Sequence, residues 1–202
     1  MANFTIAIMA GGKSSRMGTD KSFVELHGKP MIEHLIEQIS DLGQAETVLI
    51  TNRPNDYAHL GLPMVGDVFP DSGSLGGIYT AIYNSKYQDI LVIACDMPFV
   101  KPNLLRYMLT LRAEAHGPYD VIVPRINKYP EGLHAIYSKQ CLAPIKKSIA
   151  MNRLKVIGFY DEVRVRYLDE TEYQDIDPKG LSFFNVNTPE QLAEAERLTH
   201  QN

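Results

Sequence analysis

The residues best suited to chemistry form a glycine-rich loop that follows the first apolar run of the chain. The loop reads Met9-Ala10-Gly11-Gly12-Lys13-Ser14-Ser15-Arg16-Met17-Gly18-Thr19-Asp20-Lys21. Glycines let backbone N–H groups approach phosphate oxygens, and Lys13, Arg16 and Lys21 add three cations. Two glycines alone would indicate an ordinary solvated loop, but cations among glycines favour a triphosphate site. The spacing fits neither GxxxxGK[ST] nor GxGxxG, which disfavours P-loop NTPases and dinucleotide-binding dehydrogenases.

A second candidate is Asp96, which comes just after an apolar run at residues 90–94. Open α/β sheets bind ligands at the carboxyl ends of their strands, so Asp96 and the glycine-rich loop are expected at the same edge. A carboxylate there can hold Mg²⁺, which usually takes one or two protein carboxylates and completes its shell with phosphate oxygens and water. Taken alone, Asp96 is also compatible with a simple turn ahead of Pro98.

Three further polar residues have two interpretations each. Asp67 precedes the turn Gly73-Ser74-Leu75-Gly76-Gly77 and is equally compatible with a ligand contact and with a surface loop. Asn185 and Asn187 lie on one face of an extended segment, because side chains alternate along a strand. They are suited to binding a ligand, or to hydrogen bonding ahead of a helix capped by Thr188.

The elements that must position these residues are strands alternating with amphipathic helices. This order predicts an α/β fold with a mostly parallel central sheet and helices on both faces. Strands are predicted at residues 4–9, 47–51, 90–94, 121–124, 133–137 and 163–167. Helices are predicted at residues 30–42, 75–84, 101–115, 140–149 and 189–198. The sequence leaves the pairing direction of the last two strands open.

Length and composition restrict the class of protein. A chain of 202 residues with 45% hydrophobic side chains can bury one sizeable core, so residues 1–202 are interpreted as one domain. The formal net charge of −4 offers no general attraction to nucleic acid or to an anionic membrane, and neither is expected as a partner. No apolar run approaches the length of a membrane span, and the N-terminus has no basic leader, so a cytoplasmic protein is expected.

Other catalytic and metal-binding patterns are missing from the sequence. The two cysteines, Cys95 and Cys141, form no metal-ligand motif, and a reduced compartment is the simpler interpretation. The six histidines show no metal spacing, and His134 in a predicted strand is interpreted as structural. No GxSxG motif indicates a serine nucleophile.

Four segments together carry a resemblance to a known family. They are the loop with Ala10-Gly11-Gly12, Ser14, Arg16-Met17-Gly18 and Asp20-Lys21; Ser72-Gly73-Ser74-Leu75-Gly76-Gly77-Ile78; Cys95-Asp96-Met97-Pro98-Phe99; and Phe184-Asn185-Val186-Asn187-Thr188-Pro189-Glu190-Gln191-Leu192. This pattern resembles the molybdenum cofactor guanylyltransferases, which belong to a nucleotidyltransferase superfamily with a Rossmann-like fold. The chain departs from the family at Ser74, where proline is usual, and at Gly132-Leu133, where Pro-Leu is common.

The resemblance implies a reaction, its substrates and the roles of particular residues. GMP would pass from GTP to the terminal phosphate of molybdopterin or of its molybdenum-loaded form, with Mg²⁺ as cofactor and with release of pyrophosphate. Transient contacts with other proteins of cofactor biosynthesis or molybdoenzyme maturation are also implied. By resemblance, catalysis falls to Arg16, Lys21 and Asp96, the metal is held by Asp96, and the acceptor is bound by Asn185 and Asn187. The implied nucleotide contacts are Met9, Ala10, Gly11, Gly12, Lys21, Asp67 and Asp96.

Three alternatives stay open at this stage. One is a cytidylyltransferase acting on the same pterin. A second is a sugar-phosphate or alditol-phosphate nucleotidyltransferase, which the short chain and the Asn-x-Asn-Thr-Pro motif disfavour. A third is a regulatory module that binds nucleotide without turnover, which intact Arg16, Lys21 and Asp96 disfavour.

Overall fold

The computed structural model describes residues 3–11, 21–114 and 119–199, and for Lys21 it describes the backbone only. Its strands are β1 (Phe4–Met9), β2 (Glu25–Leu26), β3 (Lys29–Pro30), β4 (Glu46–Ile50), β5 (Met64–Val65), β6 (Asp89–Ala94), β7 (Val121–Ile126), β8 (Tyr129–Pro130), β9 (His134–Ser138) and β10 (Val165–Leu168). Its α-helices are α1 (Met31–Ile39), α2 (Pro54–Tyr57), α3 (Gly73–Asn84), α4 (Pro102–Glu114), α5 (Leu142–Ala150), α6 (Glu170–Tyr173) and α7 (Pro189–Thr199). Short 3₁₀ helices lie at Lys21–Phe23, Ala58–Leu60, Lys139–Cys141, Val156–Glu162 and Leu181–Phe183.

The central sheet has the order β10-β7-β9-β6-β1-β4-β5 and is mostly parallel, as predicted. Strand β9 is antiparallel to both of its neighbours, β6 and β7, whereas the other pairs along this order are parallel. Strands β1, β4, β6 and β7 therefore end at the same edge of the sheet, here called the carboxyl edge, and β9 begins there.

Alternation along the strands produces two apolar layers, one on each face of the sheet. In β1, Ile6 and Ile8 pack in the layer that holds α1 and α4, while Ala7 packs in the layer that holds α3 and α5. Side chains of a strand point to opposite faces in turn, so each strand contributes to both layers. The prediction of helices on both faces is confirmed.

The first helix is shorter than the predicted range 30–42. Pro30 pairs with Glu25 in the small β2–β3 ladder, and the N–H of Met31 donates to Val24 O at 3.0 Å, so the helix begins at Met31. At the other end, the N–H of Ser40 donates to Glu37 O, three residues back, which tightens the last turn. Gly43 has a φ of 75° and lies beyond this turn.

Other differences concern element ends. The strand predicted at 163–167 begins at Val165, because Val163 closes the preceding 3₁₀ helix with its N–H on Tyr160 O. Helix α3 begins at Gly73, two residues before the predicted start. Over the described ranges, no helix combines the length and apolar character needed to cross a membrane.

Candidate active site

A cavity of about 620 Å³ opens at the carboxyl edge of the sheet. It lies over the ends of β1, β4 and β6 and is bordered by the start of α3 and by Leu133, just before β9. The lining residues are Met9, Ala10, Gly11, Ser22, Ile50, Thr51, Asn52, Arg53, Asp67, Asp71, Gly73, Ser74, Gly77, Ala94, Cys95, Asp96 and Leu133. This is the position at which open parallel sheets bind ligands.

The cavity gathers much of the predicted nucleotide site. Met9, Ala10, Gly11, Asp67 and Asp96 all line it, although they come from three distant parts of the sequence. The predicted residues Gly12 and Arg16, together with Lys13, lie outside the described residues. Lys21 begins a 3₁₀ helix whose next residue, Ser22, lines the cavity, but its side chain is outside the described part.

The entry to the glycine-rich loop is fixed by backbone hydrogen bonds at the end of β1. The N–H of Ala10 donates to Ile50 O at 3.0 Å, and Met9 O accepts from the N–H of Cys95 at 3.2 Å. Gly11 then has a φ of 143°, a conformation that residues with a Cβ rarely adopt. The backbone conformation at this cavity-lining position therefore favours glycine.

Asp96 is half-buried at the end of β6 and is joined to the Asn185–Asn187 region by its backbone. Its carbonyl oxygen accepts the N–H of Val186 at 2.9 Å. Val186 is fully buried, and alternation places Asn185 and Asn187 on the opposite side of the segment. The structure therefore brings both asparagines next to Asp96, although neither is among the residues that line the cavity.

The start of α7 holds this segment in place. Thr188 Oγ1 accepts the N–H of Gln191 at 3.3 Å, and Gln191 Oε1 accepts the N–H of Asn187 at 2.8 Å. Gln191 thus reaches one residue further back than in a standard capping box. The backbone of Asn187 serves the cap, while the Asn185 amide donates to Phe183 O at 3.2 Å.

Asp67 is held by a residue that the sequence analysis missed. Asn52 donates its amide to Asp67 Oδ2 at 2.8 Å and accepts the N–H of Asp67 at 2.8 Å. Asn52 follows β4 at the carboxyl edge, so the rule that pointed to Asp96 would also have found it. The reciprocal pair fixes the Asp67 carboxylate at the rim of the cavity.

The first turn of α3 contributes Gly73, Ser74 and Gly77 to the cavity lining. Gly73 has a φ of 58°, and no side chain caps the helix start. Free N–H groups and the positive end of the helix dipole favour an anion at this point. The turn forms with Ser74 in the position where the family usually has proline.

Gly76 packs where a side chain has no room. A Cβ at this position would lie 2.8 Å from Ser72 Cβ and 3.0 Å from the backbone oxygen of Phe69. We expect Gly76→Ala to lower the free energy of unfolding by roughly 1–3 kcal/mol, because the backbone beside α3 must shift. Urea denaturation monitored by circular dichroism measures this change.

Gly158→Ala is the matched control for Gly76→Ala. The nearest atom to a Cβ at Gly158 is Arg153 O at 3.8 Å, which is ordinary contact. Stability should change little or rise by less than about 1 kcal/mol. Equal losses in the two variants would contradict the packing argument for Gly76.

A buried hydrogen-bond chain supports the floor of the cavity. Ser22 and Cys95 share a hydrogen bond of 3.0 Å, and the Tyr57 hydroxyl donates to Ser22 Oγ at 2.9 Å. Burial raises the pKa of Tyr57 to about 12, so the hydroxyl stays protonated as a donor. These hydrogen bonds connect Ser22, which follows Lys21, to Cys95, which precedes Asp96. No sequence motif indicated it.

The donor set suits a hard divalent cation. Among the described residues, no three His, Cys, Asp or Glu side chains lie close enough together to form a metal site by themselves. A cation at Asp96 would therefore take its remaining ligands from phosphate oxygens and water, which is how Mg²⁺ is usually held. The half-buried carboxylate beside the glycine-rich loop fits that arrangement.

Comparison with known proteins decides the family. The sequence model of the MobA-like NTP transferase domain matches residues 6–163 of this chain. The chain belongs to this family. The match ends before α7, so the assignment of residues 1–202 to one domain stays a prediction.

Relatives of this MobA-like transferase match it along nearly the whole chain. It is 37% identical to a probable molybdenum cofactor guanylyltransferase of Pelotomaculum thermopropionicum, covering 96% of this chain and 93% of the relative. It is 36% identical to one of Natranaerobius thermophilus, covering 96% of each. The structure of molybdopterin-guanine dinucleotide biosynthesis protein A from Archaeoglobus fulgidus superposes with a TM-score of 0.84 at 29% identity, covering 98% of this chain and 100% of that one. The nucleotidyltransferase fold that the resemblance implied is confirmed.

Proposed function

We propose that this MobA-like transferase moves GMP from GTP onto the terminal phosphate of molybdopterin and releases pyrophosphate. The names of its relatives support this reaction. The observation that carries it is one cavity lined by Gly11 and Asp96, with the Asn185–Asn187 region hydrogen-bonded to Asp96. A nucleoside triphosphate and a phosphorylated acceptor can meet there.

The reaction needs positioning and charge stabilisation more than a strong base. An anionic oxygen of the acceptor phosphate attacks the α-phosphorus in line and forms a new P–O bond. The bond from the α-phosphorus to the oxygen that bridges the β-phosphate breaks, and pyrophosphate carries that electron pair away. Because the attacking oxygen is already charged, catalysis falls to residues that align the phosphates and offset their charge.

The family and its nucleotide substrate indicate a divalent cation, and we propose Mg²⁺ held by Asp96. The bound cation would supply positive charge close to the phosphate oxygens. We assign Arg16 and Lys21 to the same electrostatic task, and Met9, Ala10, Gly11, Gly12 and Asp67 to nucleotide contacts. Asn185 and Asn187 are assigned to the acceptor, because their segment adjoins Asp96.

GTP should be preferred over CTP and ATP. A pocket that hydrogen-bonds the N1–H and exocyclic amine of guanine leaves buried partners unpaired when another base enters, at about 1–3 kcal/mol for each lost bond. We therefore expect kcat/KM for GTP to exceed the other values by at least about tenfold. The measurement is pyrophosphate release with each triphosphate and purified molybdopterin.

The same assay separates the alternatives. A preference for CTP would assign the chain to the cytidylyl branch without changing its fold or the role of Asp96. Turnover with a sugar phosphate in place of molybdopterin would contradict the proposed acceptor. Binding of GTP without any pyrophosphate release in the presence of acceptor would indicate a regulatory module.

A further inference from the structure

We propose that Glu131 recognises the pterin ring of the acceptor, and this inference rests on the proposed function. Glu131 would accept hydrogen bonds from the ring N3–H and the 2-amino group of the pterin. It would thereby determine specificity for the acceptor, while Asp96 and the glycine-rich loop handle the phosphates.

Glu131 lies at the carboxyl edge, on the side of Asp96 away from Asn52 and Asp67. Its N–H donates to Pro124 O at 2.9 Å, near the end of β7. Two residues later, Leu133 lines the cavity, and its carbonyl accepts the N–H of Ala94 at 2.9 Å. In sheet order, β7 and β9 lie beyond β6, whereas β1 and β4 lie on its nucleotide side. Glu131 is not itself among the residues that line the cavity, but it is hydrogen-bonded to Leu133 on the border that an acceptor approaching Asp96 from this side would meet.

The Glu131 carboxylate has one hydrogen bond within the described part of the chain. Its Oε1 accepts the N–H of Leu133 at 3.1 Å. Burial raises the pKa of Glu131, and the negative charge of Asp96 raises it further. Its charged form is therefore disfavoured in the free protein, and donors supplied by a ligand would stabilise that form.

The turn that carries Glu131 is held by buried contacts at Gly132. Gly132 O accepts the buried Tyr137 hydroxyl at 2.8 Å, and that hydroxyl also contacts the Tyr160 hydroxyl at 3.0 Å. A Cβ at Gly132 would overlap Val156 Cγ1 and come within 3.1 Å of the Tyr137 hydroxyl. The backbone next to Glu131 is thus held in place before a ligand arrives, which favours recognition by hydrogen bonding.

The chemistry of the pterin edge matches a carboxylate. Its N3–H and 2-amino group are adjacent donors, and an ionised carboxylate has two oxygens that only accept. Phosphate groups would be repelled by Glu131. Guanine has a similar edge, but the proposed nucleotide contacts, including Asp67, lie on the opposite side of Asp96.

The test uses two free ring systems, pterin and lumazine, and the full-length protein. Lumazine carries a carbonyl in place of the 2-amino group and would face the carboxylate with an acceptor. The wild-type protein should bind pterin at least about tenfold more tightly than lumazine in fluorescence titrations. Glu131→Gln should reduce this ratio to within about threefold, since an amide both donates and accepts.

Turnover provides a second readout. With GTP and molybdopterin, Glu131→Gln should raise KM for molybdopterin about tenfold and leave KM for GTP within about twofold. Glu46→Gln is the matched control, because Glu46 lies at the opposite edge of the sheet and bonds to Thr5 at 2.7 Å. It should leave both KM values and the pterin-to-lumazine ratio unchanged.

Each outcome decides the inference separately from the proposed function. Equal binding of pterin and lumazine by the wild-type protein would overturn the role of Glu131, even if Glu131→Gln failed to fold. An unchanged ratio in a folded Glu131→Gln protein would overturn it as well. A rise in KM for GTP alone in Glu131→Gln would assign Glu131 to guanine. Weaker binding of added Mn²⁺ by this variant would assign Glu131 to the cation, and either result would overturn the inference. If the wild-type protein prefers pterin to lumazine but shows no turnover, only the proposed function is contradicted.

Discussion

Replacing Asp96 by asparagine is expected to lower kcat by about 100-fold or more while changing the Kd for GTP much less. Asparagine keeps the size of the side chain, so the backbone link from Asp96 O to Val186 should persist. It removes the negative charge that a divalent cation needs from the protein. Negative charge develops on the departing pyrophosphate during transfer, so the loss should affect the transition state more than the ground state.

The experiment combines steady-state kinetics with direct cation binding. Mn²⁺ titration in the presence of nucleotide, followed by electron paramagnetic resonance, should show weaker cation binding by Asp96→Asn. Asp71→Asn removes a charge from the lining of the same cavity and should lose much less activity. Wild-type kcat at saturating Mg²⁺ in Asp96→Asn would remove Asp96 from the metal site.

The second large effect is expected from the cations of the glycine-rich loop. Arg16→Ala and Lys21→Ala should each lower kcat/KM by about 100-fold, the size typical of removing one group that stabilises a developing charge. Lys13→Ala should lose less than about tenfold, because the family signature leaves this position variable. The order of the three effects is the prediction.

Thermal unfolding must accompany these kinetics, so that loss of fold is not taken for loss of catalysis. Lys21 is the variant at greatest risk, since the adjacent Ser22 belongs to the buried chain with Tyr57 and Cys95. Lys21→Arg retains the charge with a different shape and should restore only part of the activity. If Lys13→Ala were the most damaged variant at an unchanged Tm, the roles assigned to the loop cations would be wrong.

Much of the fold could be predicted because it depends on local pattern. The apolar runs before Gly11 and Asp96 are long enough to identify buried strands, and both end in residues suited to phosphate or metal. Helix α7 was recognisable from Thr188-Pro189, since capping preferences act over a few residues. The predicted ends of the helices and strands were less accurate. The early start of α3 depends on a φ of 58° at Gly73. Glycine adopts this conformation in many turns, so its presence in the sequence does not mark a helix start.

The sequence by itself determined the α/β class and placed Asp96 at the end of a buried strand, and the phosphate-binding role of the first loop stays its prediction. The tertiary structure decided which distant segments meet. The antiparallel direction of β9, the Asn52–Asp67 pair and the bond from Val186 to Asp96 join residues far apart in the chain. Side-chain periodicity records which face of a strand or helix is buried, but strand partners and their direction follow from packing of the whole sheet.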